Sequence, residues 1–223
     1  IVDDEADLAA AVEGVAVSAY GYQGQKCSAC SRAIVCAPVY EEFLERLKER
    51  VAKITVGPAE DPVHYMGPVI NQRSLDSILG YIGIGKTEGR LICGGQRLAG
   101  DGYFIAPTVI ADISADARIF REEIFGPVLA VTRAADFSAA ITLANTGDYG
   151  LTGAVYSRNP EKLERARNEF FTGNLYLNRK CTGAMVGAHP FGGFNMSGTD
   201  SKAGGPDYLL MFTQAKSIAE RIL

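Results

Sequence analysis

Helix-like and strand-like stretches alternate along this chain of 223 residues, and that alternation constrains its fold most strongly. In residues 8–19 and 40–54, apolar side chains recur every three or four positions, which is typical of amphipathic helices. Residues 33–36 and 128–131 are short apolar runs, which favour buried strands. Strands separated by helices usually pair in parallel, so we predict an α/β fold with an open, largely parallel sheet flanked by helices.

The remaining elements are predicted from the same patterns. Asn71 is expected to cap a helix that presents apolar residues over 75–82, and residues 119–127 are expected to form a turn that ends at Gly-Pro. Residues 182–206 contain seven glycines without periodicity, which predicts a functional loop. Further strands are predicted at 90–93, 103–105, 108–110, 152–156 and 173–177, with further helices at 137–144 and 161–170.

Composition excludes several classes of function. The net charge of −4 provides no basic field for nucleic acid, and no apolar run approaches the length of a membrane span. Five cysteines is an odd number at irregular spacings, which predicts reduced thiols in the cytoplasm. The chain opens on Ile1 without a methionine, which suggests a piece of a longer protein; a processed N-terminus is the alternative.

The segment 21–32 is the most informative for chemistry. Its glycines and small polar residues lie between a helical pattern and a strand, where a loop can expose a thiol. Lys26 precedes Cys27, and a neighbouring cation favours the thiolate form that attacks carbonyl carbon. Cys27 is therefore a candidate nucleophile.

Two other uses of these cysteines have to be weighed. Cys27 and Cys30 have the spacing of zinc ligands and could be completed by Cys181 and His189, although the second tight ligand pair of a structural zinc site is missing. A redox dithiol is the other alternative, but such a motif normally opens a helix after a strand, and this one follows a helix. Phosphate-loop, dinucleotide-fingerprint and serine-hydrolase motifs do not occur in the sequence.

Three motifs in this order resemble the aldehyde dehydrogenase superfamily. Residues 23–29 (QGQKCSA) resemble its active-site cysteine motif, and residues 122–128 (EEIFGPV) resemble its cofactor-contacting turn. Residues 190–198 (PFGGFNMSG) resemble its C-terminal glycine-rich signature. Together the motifs span most of the chain.

This resemblance implies roles for individual residues. Cys27 would be the nucleophile, forming a thiohemiacetal that loses hydride to NAD and leaves a thioester for water to hydrolyse, while its backbone N–H would help to stabilise the oxyanion. Glu123 would bind the hydroxyls of the nicotinamide ribose, and Phe125 would pack near the nicotinamide ring. From the residues alone, a solvated turn for Glu122 and Glu123 and a core contact for Phe125 would be preferred.

A narrower resemblance indicates the substrate. Residues 25–32 and 197–208 are similar to the branch of the family that oxidises glutamate semialdehyde to glutamate in proline catabolism. The resemblance implies that Ser28, with the backbone N–H groups of Gly183 and Ala184, holds the substrate carboxylate. Phe191 would form an aromatic wall beside the aliphatic part of the substrate.

The chain departs from the family pattern at its front. In the family, the general-base glutamate and the cofactor domain precede the nucleophile by many residues, and only 26 residues precede Cys27 here. We therefore expect residues 1–223 to form the catalytic domain without the NAD-binding domain, and to have little activity alone. Residues 207–223 are expected to contribute to contacts in a homo-oligomer of the full-length protein.

The expected partner is a small-molecule aldehyde, with no nucleic acid, membrane or metal. A different aldehyde within the same family remains open. So do a cysteine-dependent esterase or acyltransferase and a non-catalytic interaction module, since a thiol nucleophile alone does not separate acyl transfer from oxidation.

Overall fold

The computed structural model describes residues 1–198 and 202–222. The helices in these ranges are α1 (Leu8–Tyr20), α2 (Tyr40–Val51), α3 (Gln72–Glu88), α4 (Arg118–Arg121), α5 (Phe137–Ala144) and α6 (Pro160–Glu169). The strands are β1 (Arg32–Cys36), β2 (Arg90–Cys93), β3 (Thr108–Ala111), β4 (Val128–Ala134), β5 (Tyr149–Gly150), β6 (Thr152–Val155), β7 (Asn174–Leu177) and β8 (Phe194–Asn195). Short 3₁₀ turns occupy Gly21–Gly24, Ala37–Val39 and Tyr208–Phe212.

The central sheet is open and largely parallel, as predicted. Its strand order is β1-β4-β3-β2, with parallel pairing except between β2 and β3. A second parallel pair, β6-β7, lies beyond β1. Val2 bridges Val35 and Tyr156 in parallel, so the first residues of the chain connect the two sheets into one continuous layer.

Helices cover both faces of this layer, because the central strands are apolar on both sides. On β4, Leu129 and Val131 face one core, whereas Val128 and Ala130 face the other. Helices α1 and α2 fill the first core with side chains that include Val12, Val15, Phe43 and Leu47. Helices α3 and α5 fill the second core with side chains that include Leu75, Ile78, Ile82, Phe137 and Ile141.

Side-chain caps set where several helices begin. The side chain of Asn71 accepts a hydrogen bond from the Ser74 N–H at 2.9 Å, which confirms the predicted start of α3. Asp136 caps α5 in the same way through the Ala139 N–H at 2.8 Å. These caps are local in sequence, which is why the spacing revealed them.

One predicted element was wrong, and a second was only partly right. Residues 103–105 form no strand, because their pairing with the segment around Arg97 is limited to an isolated antiparallel bridge at Ile105. The predicted turn at 119–127 begins instead with the short helix α4. The Glu88 carboxylate accepts hydrogen bonds from the N–H groups of Arg118 (2.8 Å) and Ile119 (3.2 Å), so a residue of α3 caps this helix.

The C-terminal part is mostly irregular, as predicted for 182–206, although β8 adds a short strand there. Residues 199–201, which belong to the stretch that resembles the glutamate semialdehyde branch, lie outside the described residues, as does Leu223. The apolar residues of Tyr208–Phe212 are exposed, with Leu209 at 74% and Phe212 at 70%. Within the described ranges, no helix is both long and apolar enough to cross a membrane.

The packing of α2 against the sheet predicts a large stability cost for Leu47→Ala. Leu47 is fully buried, so removing its side-chain carbons beyond Cβ should lower the free energy of unfolding by about 2–5 kcal/mol. Urea denaturation measures this change. Glu45→Ala, at an exposed position of the same helix, is the matched control and should change stability by under about 0.5 kcal/mol. Equal effects would contradict the assigned core.

Candidate active site

A close backbone contact fixes where the cysteine loop begins. Helix α1 runs into the turn Gly21–Gly24, in which Tyr22 and Gln23 both have φ of 58°. Gly24 follows with φ of 65°, and a Cβ there would lie 2.3 Å from the carbonyl oxygen of Gly126. Only glycine fits this approach, which packs the cysteine loop directly on the turn that contains Glu123.

Cys27 lies on an exposed turn of this loop, as predicted. The Ala29 N–H donates to the Lys26 carbonyl at 2.9 Å and closes the turn. The Cys30 N–H donates to the Ser18 carbonyl of α1 at 3.1 Å, so the loop returns to the helix that it left. The Cys27 thiol is therefore presented to solvent from a backbone that is anchored on its inner side.

The Ser28 carbonyl gives the loop a second anchor. It accepts hydrogen bonds from the Thr152 hydroxyl of β6 at 3.4 Å and from the Cys181 thiol at 3.5 Å. The sequence predicted neither hydrogen bond, and no local pattern could have done so, because both donors lie more than a hundred residues away. These bonds connect the cysteine loop to the sheet and to the start of the late glycine-rich loop.

The two acidic residues after α4 have different environments. Glu122 accepts hydrogen bonds from Arg118 (2.9 Å) and from the Tyr81 hydroxyl (2.7 Å), and these donors lower the pKa of its carboxyl to about 2. Glu123 is exposed, and no donor among the described residues pairs with its carboxylate. Phe125 has φ of 55° and is 42% exposed, so it is not the core contact that the residues alone would favour.

One open cleft brings Cys27 and Glu123 together. It has a volume of about 300 Å³ and lies between the cysteine loop, the α4 turn and the β5–β6 region. Arg32 extends along it, with its guanidinium 4.7 Å from the Phe120 ring centre, so the start of β1 is stacked on α4. Residues that sequence reasoning missed also line the cleft: Tyr149, Gly150, Thr152, Phe170, Phe171 and Met196.

The predicted carboxylate anchor does not line this cleft. Gly183 has φ of 87°, which a glycine adopts without strain, and both Gly183 and Ala184 are at least partly exposed. Phe191 exchanges two backbone hydrogen bonds of 2.8 Å with Ala203. The connection between this loop and Ser28 is the hydrogen bond from Cys181, two residues before Gly183.

The glycine-rich signature is held by close backbone packing. A Cβ on Gly173, just before β7, would lie 1.8 Å from the carbonyl oxygen of Gly192, so the two segments touch through their main chains. The Lys202 ammonium donates to the same Gly192 carbonyl at 2.6 Å and also to the Gly173 carbonyl. These contacts therefore hold the glycine-rich signature against the segment before β7, beside the cleft.

The acidic residues that precede Cys27 are all engaged in pairing. Asp3 is buried, and its carboxylate accepts from Ser157 (2.7 Å) and Lys162 (2.8 Å). The other carboxylates pair in turn: Asp4 with Lys162, Glu5 with Asn159, Asp7 with Arg158 and Glu13 with Arg50. These bonds join the start of the chain to α2 and α6, so their role is structural.

The candidate zinc ligands do not converge. Cys27 lines the cleft, Cys30 and Cys181 line a neighbouring cavity, and the His189 Nδ1 accepts the Met185 N–H at 3.2 Å within its own loop. In the described part of the chain, three or more potential metal ligands meet only at Asp3, Asp4 and Glu5, and Lys162 binds all three.

An α/β fold that exposes a thiol and an unpaired carboxylate on one cleft defines a candidate thiol-dependent enzyme. The sequence profile described as "Aldehyde dehydrogenase family" matches residues 1–218. The chain belongs to the aldehyde dehydrogenase family.

The relatives with similar sequences include 1-pyrroline-5-carboxylate dehydrogenases. The chain is 57% identical over 220 residues to a 1-pyrroline-5-carboxylate dehydrogenase of Geobacillus and 53% identical over 220 residues to that of Bacillus subtilis. Each match covers 99% of the chain but 43% of the relative. The chain thus spans less than half the length of these relatives.

Solved structures agree with this fold. The Thermus 1-pyrroline-5-carboxylate dehydrogenase with bound NAD superposes with a TM-score of 0.97 at 55% identity, over 99% of this chain and 43% of that one. A betaine aldehyde dehydrogenase of Staphylococcus aureus superposes with a TM-score of 0.86 at 36% identity, over 91% of this chain and 42% of that one.

The contact between Gly24 and Gly126 predicts the effect of Gly24→Ala. The new Cβ would collide with a carbonyl oxygen at a left-handed backbone position, so the free energy of unfolding should fall by at least about 1 kcal/mol. The rate of Cys27 alkylation should change as well, because the loop must shift.

Gly80→Ala is the control for that experiment. Gly80 lies inside α3 with no other atom near its would-be Cβ, so alanine there should raise stability by about 0.5–1 kcal/mol and leave Cys27 labelling unchanged. Urea denaturation and mass spectrometry measure both effects. A Gly24→Ala protein as stable as the wild type would refute the contact.

The environment of Glu122 predicts a pH dependence. Folding lowers the pKa of this carboxyl from its ordinary value of 4.5 to about 2, so its stabilising contribution is full above about pH 5 and disappears as pH falls toward 2. Thermal melts should show Glu122→Gln destabilised at neutral pH and approaching the wild type in acid. Glu123→Gln should melt like the wild type throughout, and a destabilised Glu123→Gln would contradict its unpaired state.

Proposed function

We propose that this chain supplies the nucleophile and the substrate anchor of a 1-pyrroline-5-carboxylate dehydrogenase, which oxidises glutamate semialdehyde to glutamate with NAD. The observation that carries the proposal is the cleft lined by both the exposed Cys27 and the unpaired Glu123. Membership of the aldehyde dehydrogenase family supports it, as do relatives named 1-pyrroline-5-carboxylate dehydrogenase.

The proposed chemistry centres on Cys27. Its thiolate adds to the aldehyde carbon and forms a thiohemiacetal, whose oxyanion is stabilised by the Cys27 backbone N–H. NAD, when bound, accepts the hydride that leaves this carbon. The resulting thioester on Cys27 is hydrolysed by water, which releases glutamate and regenerates the thiol.

Glu123 and Phe125 fit a contact with the cofactor. A carboxylate without a protein donor can accept hydrogen bonds from the two hydroxyls of a ribose, and Glu123 is exposed at the cleft. Phe125 leaves 42% of its surface free for packing against a ring. Glu122 is unsuited to this role because Arg118 and Tyr81 already occupy its oxygens.

We assign the substrate carboxylate to Ser28, Gly183 and Ala184, with Phe191 beside the aliphatic chain. A hydroxyl and two backbone N–H groups can bind a carboxylate without placing a further cation beside the nucleophile. The hydrogen bond from Cys181 to the Ser28 carbonyl supports this assignment, because it connects the two loops that would have to act together.

We also propose a cellular compartment and an oligomeric state for the enzyme. All five cysteines are free, which supports a reducing compartment such as the cytoplasm. The exposed apolar side chains of Tyr208–Phe212 support a contact with another protein surface, and we propose a homo-oligomer in which 207–223 takes part. Sedimentation of the full-length protein with and without this segment would test that.

We further propose that residues 1–223 alone form little NADH from glutamate semialdehyde. In this chain, only Glu123 and Phe125 are assigned to the cofactor, and no acid before Cys27 is free to activate water. The test follows NADH absorbance with the 223-residue chain. Ordinary enzymatic turnover would refute this part of the proposal and leave the role of Cys27 intact.

The role of Cys27 predicts selective labelling. Cys27 is exposed, whereas burial raises the pKa of the Cys36 thiol to about 11 and also raises that of Cys93. Iodoacetamide at neutral pH should therefore modify Cys27 first, as read by peptide mass spectrometry. Glutamate semialdehyde should slow this modification by forming a reversible thiohemiacetal. Labelling of Cys27 no faster than of Cys36 or Cys93 would contradict a presented nucleophile.

The anchor is tested by comparing aldehydes. Butanal, which lacks the carboxylate, should protect Cys27 more weakly than glutamate semialdehyde does. Ser28→Ala should keep the labelling of Cys27 but reduce the difference between the two aldehydes, because one carboxylate donor is lost. Gly80→Ala, which is remote from the loop, should preserve that difference. Equal protection by both aldehydes in the wild type would exclude the proposed anchor.

A further inference from the structure

A second cavity lies under the cysteine loop and contains two thiols that the proposed reaction does not use. Cys30 ends the loop, and Cys181 begins the late glycine-rich loop. Both line this cavity together with Ser18, Tyr156 and Arg32. Cys181 is only 7% exposed, and Cys30 is partly buried, so the protein holds both sulfurs within its interior.

The two thiols share this cavity and influence each other's ionisation. Hydrogen bonding with Cys30 lowers the pKa of the Cys181 thiol, while the same contact and burial raise that of Cys30. Each sulfur also lies near a backbone carbonyl: Cys181 at 3.5 Å from Ser28 oxygen, and Cys30 at 3.4 Å from Arg32 oxygen. Cys181 is therefore the thiol that ionises more readily, and its hydrogen bond to the Ser28 carbonyl belongs to its protonated form.

A small oxidant could reach this pair through the cleft. The cavity and the cleft share six lining residues: Ala29, Ser31, Arg32, Ala144, Thr152 and Phe170. The hydroxyls of Ser18 and Tyr156 are buried in the cavity, without a hydrogen-bond partner among the described residues. Unpartnered buried hydroxyls would bind a small polar molecule such as water or hydrogen peroxide.

We propose that Cys30 and Cys181 form a reversible disulfide when the protein meets a peroxide. The Cys181 thiolate attacks one oxygen of hydrogen peroxide and breaks the O–O bond, which gives a sulfenic acid and hydroxide. The Cys30 sulfur then attacks the Cys181 sulfur, forms the S–S bond and releases water. Two thiols are oxidised and one peroxide is reduced, and an external dithiol reverses the change by exchange.

The disulfide would connect the cysteine loop to the late loop. The bond replaces both S–H groups, so the Ser28 carbonyl loses the hydrogen bond from Cys181. The cross-link joins positions that lie about 150 residues apart, which restricts the unfolded chain strongly. This inference is independent of the proposed dehydrogenase function, because it concerns two thiols in a second cavity that the proposed reaction does not use.

The experiment uses the 223-residue chain with Cys27→Ala. This substitution removes the exposed thiol, which peroxide would also attack and which shares a tryptic peptide, 27–32, with Cys30. The protein is treated with equimolar hydrogen peroxide, alkylated and digested without reductant. Mass spectrometry should find peptide 27–32 joined to peptide 181–202 with the loss of two hydrogens, and dithiothreitol should release both.

Two cysteine variants in the same background complete the test. Cys181→Ser should abolish the cross-linked peptide, whereas Cys93→Ser should leave it unchanged, because Cys93 lies on β2, away from the cavity. The oxidised protein should also unfold at a higher temperature than the reduced protein. Recovery of Cys30 and Cys181 as alkylated thiols after peroxide, or their pairing with Cys36 or Cys93 instead, would overturn the proposal.

Discussion

The candidate site depends on the backbone contact between Gly24 and Gly126. A Cβ at Gly24 would lie 2.3 Å from the Gly126 carbonyl oxygen, so the two segments can approach this closely only without a side chain at Gly24. The cysteine loop lies on one side of the contact and the Glu123 turn on the other. Their separation is therefore set by main chain, which places Cys27 and Glu123 on one cleft.

The sheet supports this contact from below. Val2 pairs with both Val35 and Tyr156, so β1 and β6 belong to one layer. The cysteine loop enters β1, while Thr152 of β6 donates to the Ser28 carbonyl. Because both strands belong to the same layer, the loop is anchored on its inner side, and Cys27 is exposed on its outer side.

The local sequence predicted most elements because their signals are short-range. The Asn71 cap and the apolar spacing of α2 depend on residues within a few positions of each other. The failures have the opposite origin. Helix α4 was missed because Glu88, thirty residues earlier, caps it. The predicted strand at 103–105 failed because a strand needs continuous pairing with a partner, and this segment forms only an isolated bridge to Arg97.

By itself, the sequence determined most of the helices and strands, the exposed loop around Cys27 and the glycines that its turns require. Only the tertiary structure decided that the Glu122 carboxylate accepts hydrogen bonds from Arg118 and Tyr81 while Glu123 remains unpaired. It alone brought Cys181 to the Ser28 carbonyl and into the same cavity as Cys30. The physical reason is range: caps and periodicity act over a few residues, whereas these contacts join distant segments that meet only when the sheet has formed.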